Sequence, residues 1–126
     1  RRNVLKRFEE IPVWQDTHKI VIEIYQITKS FPKEEVFGLA SQIRRSASSI
    51  AANIVEGFYK ETTRELIRHL YHSRGSGGET LYHLLLAKDL KYLDDKKYIH
   101  IKSRLDTIAK QLNGWIKSMQ NIDKKN

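Results

Sequence analysis

Lys60, Arg64 and Arg68 recur at a spacing of four, and Arg44 stands directly beside Arg45. On a helix, a step of four places side chains on one face, one turn apart. Cations in such a row bind phosphate oxygens, arginine through a planar two-pronged fork and lysine as a point charge. Lys60, Arg64, Arg68, Arg44 and Arg45 are therefore the candidate nucleic-acid-binding residues, with Lys88, Lys91, Lys96 and Lys97 as a further basic group. The Arg44-Arg45 pair keeps a second reading open, in which one arginine meets Glu56 or Glu79 across a helix bundle.

Acid–base and metal chemistry find weaker candidates. Asn53 and Glu56 lie three apart, but a lone carboxylate with no partner acid or nucleophile reads as a buried polar network and not a catalytic centre. Glu65, His69 and His72 share a helix face in steps of four and three, a geometry that can chelate zinc. Two histidines and one acid read more simply as ordinary helix residues. The stretch Arg74-Gly75-Ser76-Gly77-Gly78 lacks the lysine and strand context of a phosphate-binding loop, and no Ser-His-Asp order or His-Glu-x-x-His run occurs. The expectation is a non-enzymatic protein with no catalytic residue, no metal and no cofactor.

Composition bounds the partners. Among 126 residues, 23 Lys and Arg against 15 Asp and Glu leave a formal charge of +8. That excess favours anionic partners, nucleic acid before acidic membrane. Cysteine is absent, which excludes disulfides, thiolate metal sites and cysteine nucleophiles. No apolar run approaches the ~20 residues of a membrane span, and the first ten residues lack the apolar core of a secretion signal. A cytoplasmic protein of bacterial type is expected, with no membrane partner.

The elements that must carry these residues are helices. Val13 to Ser30 carries one apolar stripe through Ile20, Val21, Ile24 and Ile27. Pro32 ends it, and Glu34-Glu35 suit the first turn of a second helix with seam positions Val36, Ala40, Ile43, Ala47, Ile50 and Ile54 and a terminating Gly57. Thr62-Thr63-Arg64-Glu65 reads as a capping box opening the third helix. Gly75, Gly77 and Gly78 either break that helix or form a notch against another backbone. The notch is favoured because Leu70, Gly77 and Leu84 keep the apolar phase. Asp94-Asp95 starts a fourth helix whose stripe runs Tyr98, Ile101, Leu105, Ile108, Leu112, Trp115, Met119 and Ile122.

Short connections place sequential helices antiparallel, so the fold class is all-α, an antiparallel up-and-down four-helix bundle over residues 13–122. Residues 1–12 form an N-terminal arm and 123–126 a polar tail. Trp14, Tyr25, Phe58, Tyr59, Tyr82 and Tyr92 fall partly off the core stripes and point to a second apolar surface, hence self-association. Trp14, Tyr25, Phe58, Gly75, Gly77 and Gly78 are the candidates for oligomer or helix packing.

Four stretches then resemble a known family. They are Val13-Trp14-Gln15, Phe31-Pro32-Lys33-Glu34-Glu35, the long run from Gly38 to Phe58, and Arg74-Gly75-Ser76 followed by Glu79 and Leu81. The long run contains Gln42-Ile43-Arg44-Arg45-Ser46-Ala47 and Asn53-Ile54-Val55-Glu56-Gly57-Phe58. Together they resemble the four-helix-bundle proteins encoded in intervening sequences of 23S ribosomal RNA genes. The resemblance covers about residues 8–93, and the fourth helix matches in pattern only. It implies a bundle assembling into a homopentameric ring with an axial channel, and no known enzymatic activity. That family in turn looks related to the accessory proteins of diversity-generating retroelements, basic pentamers that bind RNA and a reverse transcriptase. The expected function is a basic accessory factor binding RNA or an RNA–DNA hybrid, the alternative a protein-interaction scaffold that docks, for example, a reverse transcriptase. Gly77-Gly78, His69 and His72 depart from the family's usual residues and leave the packing of the third helix in question.

Overall fold

In the computed structural model, which describes residues 4–125, four helices follow one another: α1 (Pro12–Thr28), α2 (Leu39–Phe58), α3 (Thr63–Asp89) and α4 (Asp95–Lys125). Short 3₁₀ turns precede α1 at Phe8–Glu10 and α2 at Lys33–Glu35, and no strand occurs among the described residues.

Polar pairs along the helix contacts give the antiparallel register. Between α2 and α3, Thr80 Oγ1 donates to Ser46 Oγ at 2.8 Å, Ser76 Oγ to Ser49 Oγ at 3.0 Å and Ser73 Oγ to the Ile50 carbonyl at 2.8 Å. Between α3 and α4, Arg74 meets Asn113 and Tyr71 meets Gln120. Gln111 on α4 reaches Asp16 on α1, and His100 reaches Glu23. One number rises as its partner falls in every pair, so each of these neighbours runs antiparallel. The core is the union of the inward stripes, with Ile20, Ile24, Ile43, Ile50, Ile54, Leu70, Leu84 and Ile101 fully buried.

Local chemistry explains the boundaries. Pro12 occupies the first turn of α1, where its missing N–H costs nothing. Thr62 Oγ1 accepts from the Glu65 amide at 3.1 Å, and Asp94 Oδ1 from the Lys97 amide at 2.7 Å, so both N-caps form, although the Glu65 side chain makes no return bond to complete the expected box.

The opening of α2 differs from the sequence reading. Glu34 and Glu35 belong to the preceding 3₁₀ turn, and Val36, expected on the core seam, is half exposed outside the helix. Glu35 folds its carboxylate forward to accept from the Leu39 amide at 3.0 Å and so caps α2 from four residues upstream. A Cβ on Gly38 would lie 2.7 Å from that carboxylate oxygen, so a larger residue there would displace the Glu35 cap.

Gly57 does not end α2 either. It is buried one residue before the end, and a Cβ there would meet His69 Cβ at 2.9 Å and Leu66 Cδ1 at 3.1 Å. At Gly57, therefore, α3 packs directly against the backbone of α2. The glycines of α3 do not make such an approach within the chain. The helix runs unbroken through them, a Cβ added at Gly75 or Gly78 would meet nothing within 4 Å, and one at Gly77 would meet only Ile50 Cδ1 at 3.8 Å. Gly77 and Gly78 border a cavity of about 210 Å³ between α3 and α4, so they mark spare room and not a tight notch.

On α4 the buried row is Ile101, Leu105, Ile108, Leu112, Ile116 and Met119. Ile116 replaces the expected Trp115, which is half-buried beside the core, because a straight helix of 3.6 residues per turn drifts away from a 3.5 repeat. The helix continues to Lys125, through residues read as polar tail.

The turn after α3 carries one backbone exception. Lys91 has φ 69°, and the Tyr92 amide reaches back to the Ala87 carbonyl at 2.9 Å while the Lys91 amide bonds to the Lys88 carbonyl at 3.0 Å. This is the paired-bond helix end that ordinarily uses glycine. Lys91→Gly is accordingly expected to stabilise the fold by about 1 kcal/mol, the cost of left-handed geometry in a residue with a Cβ. Urea denaturation of the two proteins measures it, and an unchanged or lower midpoint would contradict it.

Candidate nucleic-acid interface

Once the Thr62 cap sets the start of α3, Arg64 and Arg68 project from successive turns of its outer face, with Lys60 just upstream and His72 one turn on. Arg64 and Arg68 are exposed and Lys60 half-buried, and none has an acid within ion-pair distance among the described residues. Glu61 and Glu65 are interleaved with the row but do not close on it. The antiparallel register through Tyr71–Gln120 brings the last turns of α4, with Lys117, Lys124 and Lys125, to the same end of the bundle. Sequence spacing along one helix carries no sign of that convergence. Only the antiparallel pairing of helices distant in sequence creates it.

The arginine pair divides. Arg44 is consumed by the fold: its Nε donates to Thr28 Oγ1 at 2.8 Å, its Nη2 to the Tyr25 carbonyl at 3.2 Å, and its guanidinium stacks 4.9 Å over the Tyr25 ring. It thus satisfies groups at the C-terminal end of α1, where carbonyls lack helical partners and a cation suits the dipole. Arg45 is exposed and borders a shallow polar cleft of about 350 Å³ with Gln42, Ser46, Ser49 and Glu79. Neither arginine pairs with Glu56 or Glu79, which approach His69 and His83 instead. At the far end of the bundle, Lys88 contacts Asp89 at 3.6 Å and lies over Tyr98, whereas Lys91, Lys96 and Lys97 remain exposed.

His69 turns inward between α2 and α3. Asn53 donates its amide N–H to the Ser49 carbonyl and hydroxyl, so its Oδ1 faces His69 Nδ1 at 3.2 Å and accepts a hydrogen bond from it. That tautomer leaves Nε2 buried without a partner among the described residues. Burial foremost, then Arg68 and Lys60, hold the His69 pKa below its ordinary value, against the opposing pull of Glu56. The folded state prefers neutral His69, so this contribution is whole above the unfolded value of about 6.5 and is lost as pH falls towards the folded pKa. Stability is expected to decline as pH falls from about 7.5 through the unfolded value of about 6.5, and His69→Leu to flatten that decline relative to wild type. Urea midpoints across the range test it, and parallel profiles would refute it.

His72 lies on the outer face with its ring 6.2 Å from that of His69. No group of three His, Asp or Glu side chains among the described residues converges enough to hold a metal ion.

The packing candidates separate too. Phe58 is buried, against Tyr59. Trp14 is half-buried between Phe8 and His18, and Tyr25 is 40% exposed beneath Arg44. Tyr92 donates to Glu35 at 3.1 Å and packs on Phe31. None of the described helices is long and apolar enough to cross a membrane.

A basic, all-helical bundle with solvent-facing cations on the outer face of its third helix defines the class. Residues 9–114 match the family of 23S rRNA-intervening sequence proteins, and the chain belongs to that family. It is similar to a crystal structure of a protein of unknown function from the S23 ribosomal protein family of Bacteroides thetaiotaomicron. The two share 27% identity at a TM-score of 0.78, over 83% of this chain and 98% of that one. No curated protein matches the sequence.

Proposed function

We propose that the chain is a non-enzymatic accessory factor, assembling as a homopentamer, that binds structured RNA or an RNA–DNA hybrid through phosphates. The observation that carries this reading is the group Lys60, Arg64 and Arg68, two arginines on successive turns of α3 with a lysine in the connection just before it, none of them paired to an acid among the described residues. The net charge of +8 supports it, and assembly would multiply that charge. Arg45 adds an exposed cation on α2, whereas Arg44 is withdrawn from the proposed surface by its bonds to α1.

Contacts of this kind position a ligand without reading its bases. Affinity should therefore vary little among RNA sequences and fall steeply with salt. Neutralising several phosphates releases their counterions, and the fall in affinity for six to ten contacts is on the order of 10³–10⁵ between 50 and 200 mM. Anisotropy titrations of a hairpin RNA, an RNA–DNA hybrid and a DNA duplex at these salt concentrations test it. Absence of binding to all three at about 50 mM would overturn the reading in favour of a scaffold that docks a protein such as a reverse transcriptase.

A further inference from the structure

Beside its core stripe, α1 carries a second apolar row, Trp14, Val21, Ile22 and Tyr25, that the bundle covers only in part. Opposite this row α2 presents only small groups, Ser48, Ala51 and Ala52, with Val55 at the end. The result is a groove of about 640 Å³ with aromatic walls and an alanine floor. Its size lies in the range of pockets that bury most of a bound organic group. Lys29 and His18 edge it, and no acidic residue lines it.

A matching projection exists on the same chain. Because Glu35 caps α2 from upstream, Val36 and Phe37 are pushed out of the helix, and Phe37 is 96% exposed. The phenyl ring therefore stands almost wholly in water at the tip of the α1–α2 turn. It is flanked by Glu34, an exposed carboxylate with no cation in ion-pair distance among the described residues. The projection has an acid where the groove has Lys29 and His18.

We infer that the α1–α2 turn of one copy plugs the α1–α2 groove of a second copy, with Phe37 seated at the Ile22–Tyr25 end of the groove and Glu34 facing Lys29. Plug and socket are different surfaces, so the contact is heterologous, and copies joined this way close into a ring or extend without limit. This inference rests on the self-assembly part of the proposed function and names the faces that perform it. It also gives the α1 aromatics a role that the basic edge of α3 does not use.

The test is mass by light scattering, which is independent of nucleic-acid binding. Phe37→Asp and Ala52→Trp both alter exposed positions, so an unchanged helical circular-dichroism spectrum shows that each variant folds. Each alone is expected to reduce the assembly to monomer. Mixed in equal amounts they are expected to form a 1:1 heterodimer and nothing larger, because one intact plug then meets one intact socket. A Phe37→Asp protein that keeps the wild-type mass overturns the inference, as does a mixture that stays monomeric. In either case the RNA titrations decide the proposed function separately.

Discussion

Replacing Gly57 by alanine is expected to destabilise the bundle by about 1–3 kcal/mol, the usual cost of overpacking a well-filled contact. The new methyl would lie 2.9 Å from His69 Cβ and 3.1 Å from Leu66 Cδ1, both on α3. A Cβ cannot rotate away, and α2 cannot retreat without stretching the Ser46–Thr80, Ser49–Ser76 and Ile50–Ser73 bonds along the same interface. The contrast is with Gly75 and Gly78, where a Cβ meets nothing within 4 Å. Alanine at those helical positions should instead stabilise by up to about 1 kcal/mol, through helix propensity alone. Urea denaturation of the three variants distinguishes the sites. A Gly57→Ala protein as stable as wild type would show that α2 and α3 adjust freely. A destabilised Gly78→Ala would show that the outer face of α3 is covered by something beyond this chain.

Changing Lys60, Arg64 and Arg68 together to glutamate is expected to weaken RNA binding by roughly two to four orders of magnitude at about 50 mM salt. The salt slope should fall by about one for each phosphate that is no longer neutralised. All three side chains lie outside the core and make no ion pair among the described residues, so melting should change little. The weakening should be alike for hairpin RNA, hybrid and duplex DNA, since phosphate contacts carry no base information. Arg44→Glu serves as the opposite control. It would remove the bonds to Thr28 and Tyr25 and should lower stability, where Arg45→Glu should not. If the triple variant bound RNA as wild type does, the basic edge of α3 would not be the binding surface.

Much of the architecture was legible from the sequence because local chemistry repeats along a helix. The caps at Thr62 and Asp94 are decided by side chains three residues from the amides they satisfy. The apolar stripes of α1 and α4 follow from a period that needs no knowledge of the neighbours. Arg64 and Arg68 were visible for the same reason, whereas Lys60 lies in the connection before α3, outside the helix that a spacing of four assumes. What remained hidden depends on groups that meet only in three dimensions. Gly57 reads as a helix end, since its use as a close-approach point exists only when His69 and Leu66 arrive from α3. Gly75, Gly77 and Gly78 read as a notch, yet the neighbouring helices leave space beside them. Arg44 and Arg45 are chemically alike in sequence. A single residue step around α2 sends the first to the C-terminal end of α1 and the second to solvent. Glu35 looks like a first-turn residue of α2, and its long side chain caps the helix from outside instead, which ejects Phe37. The helices, their order and the excess of positive charge can thus be read residue by residue, because periodicity and composition are local properties. Which glycine is tight, which arginine is free and where the uncovered aromatic groove lies depend on folding, because each is set by what a distant helix brings within a few ångströms.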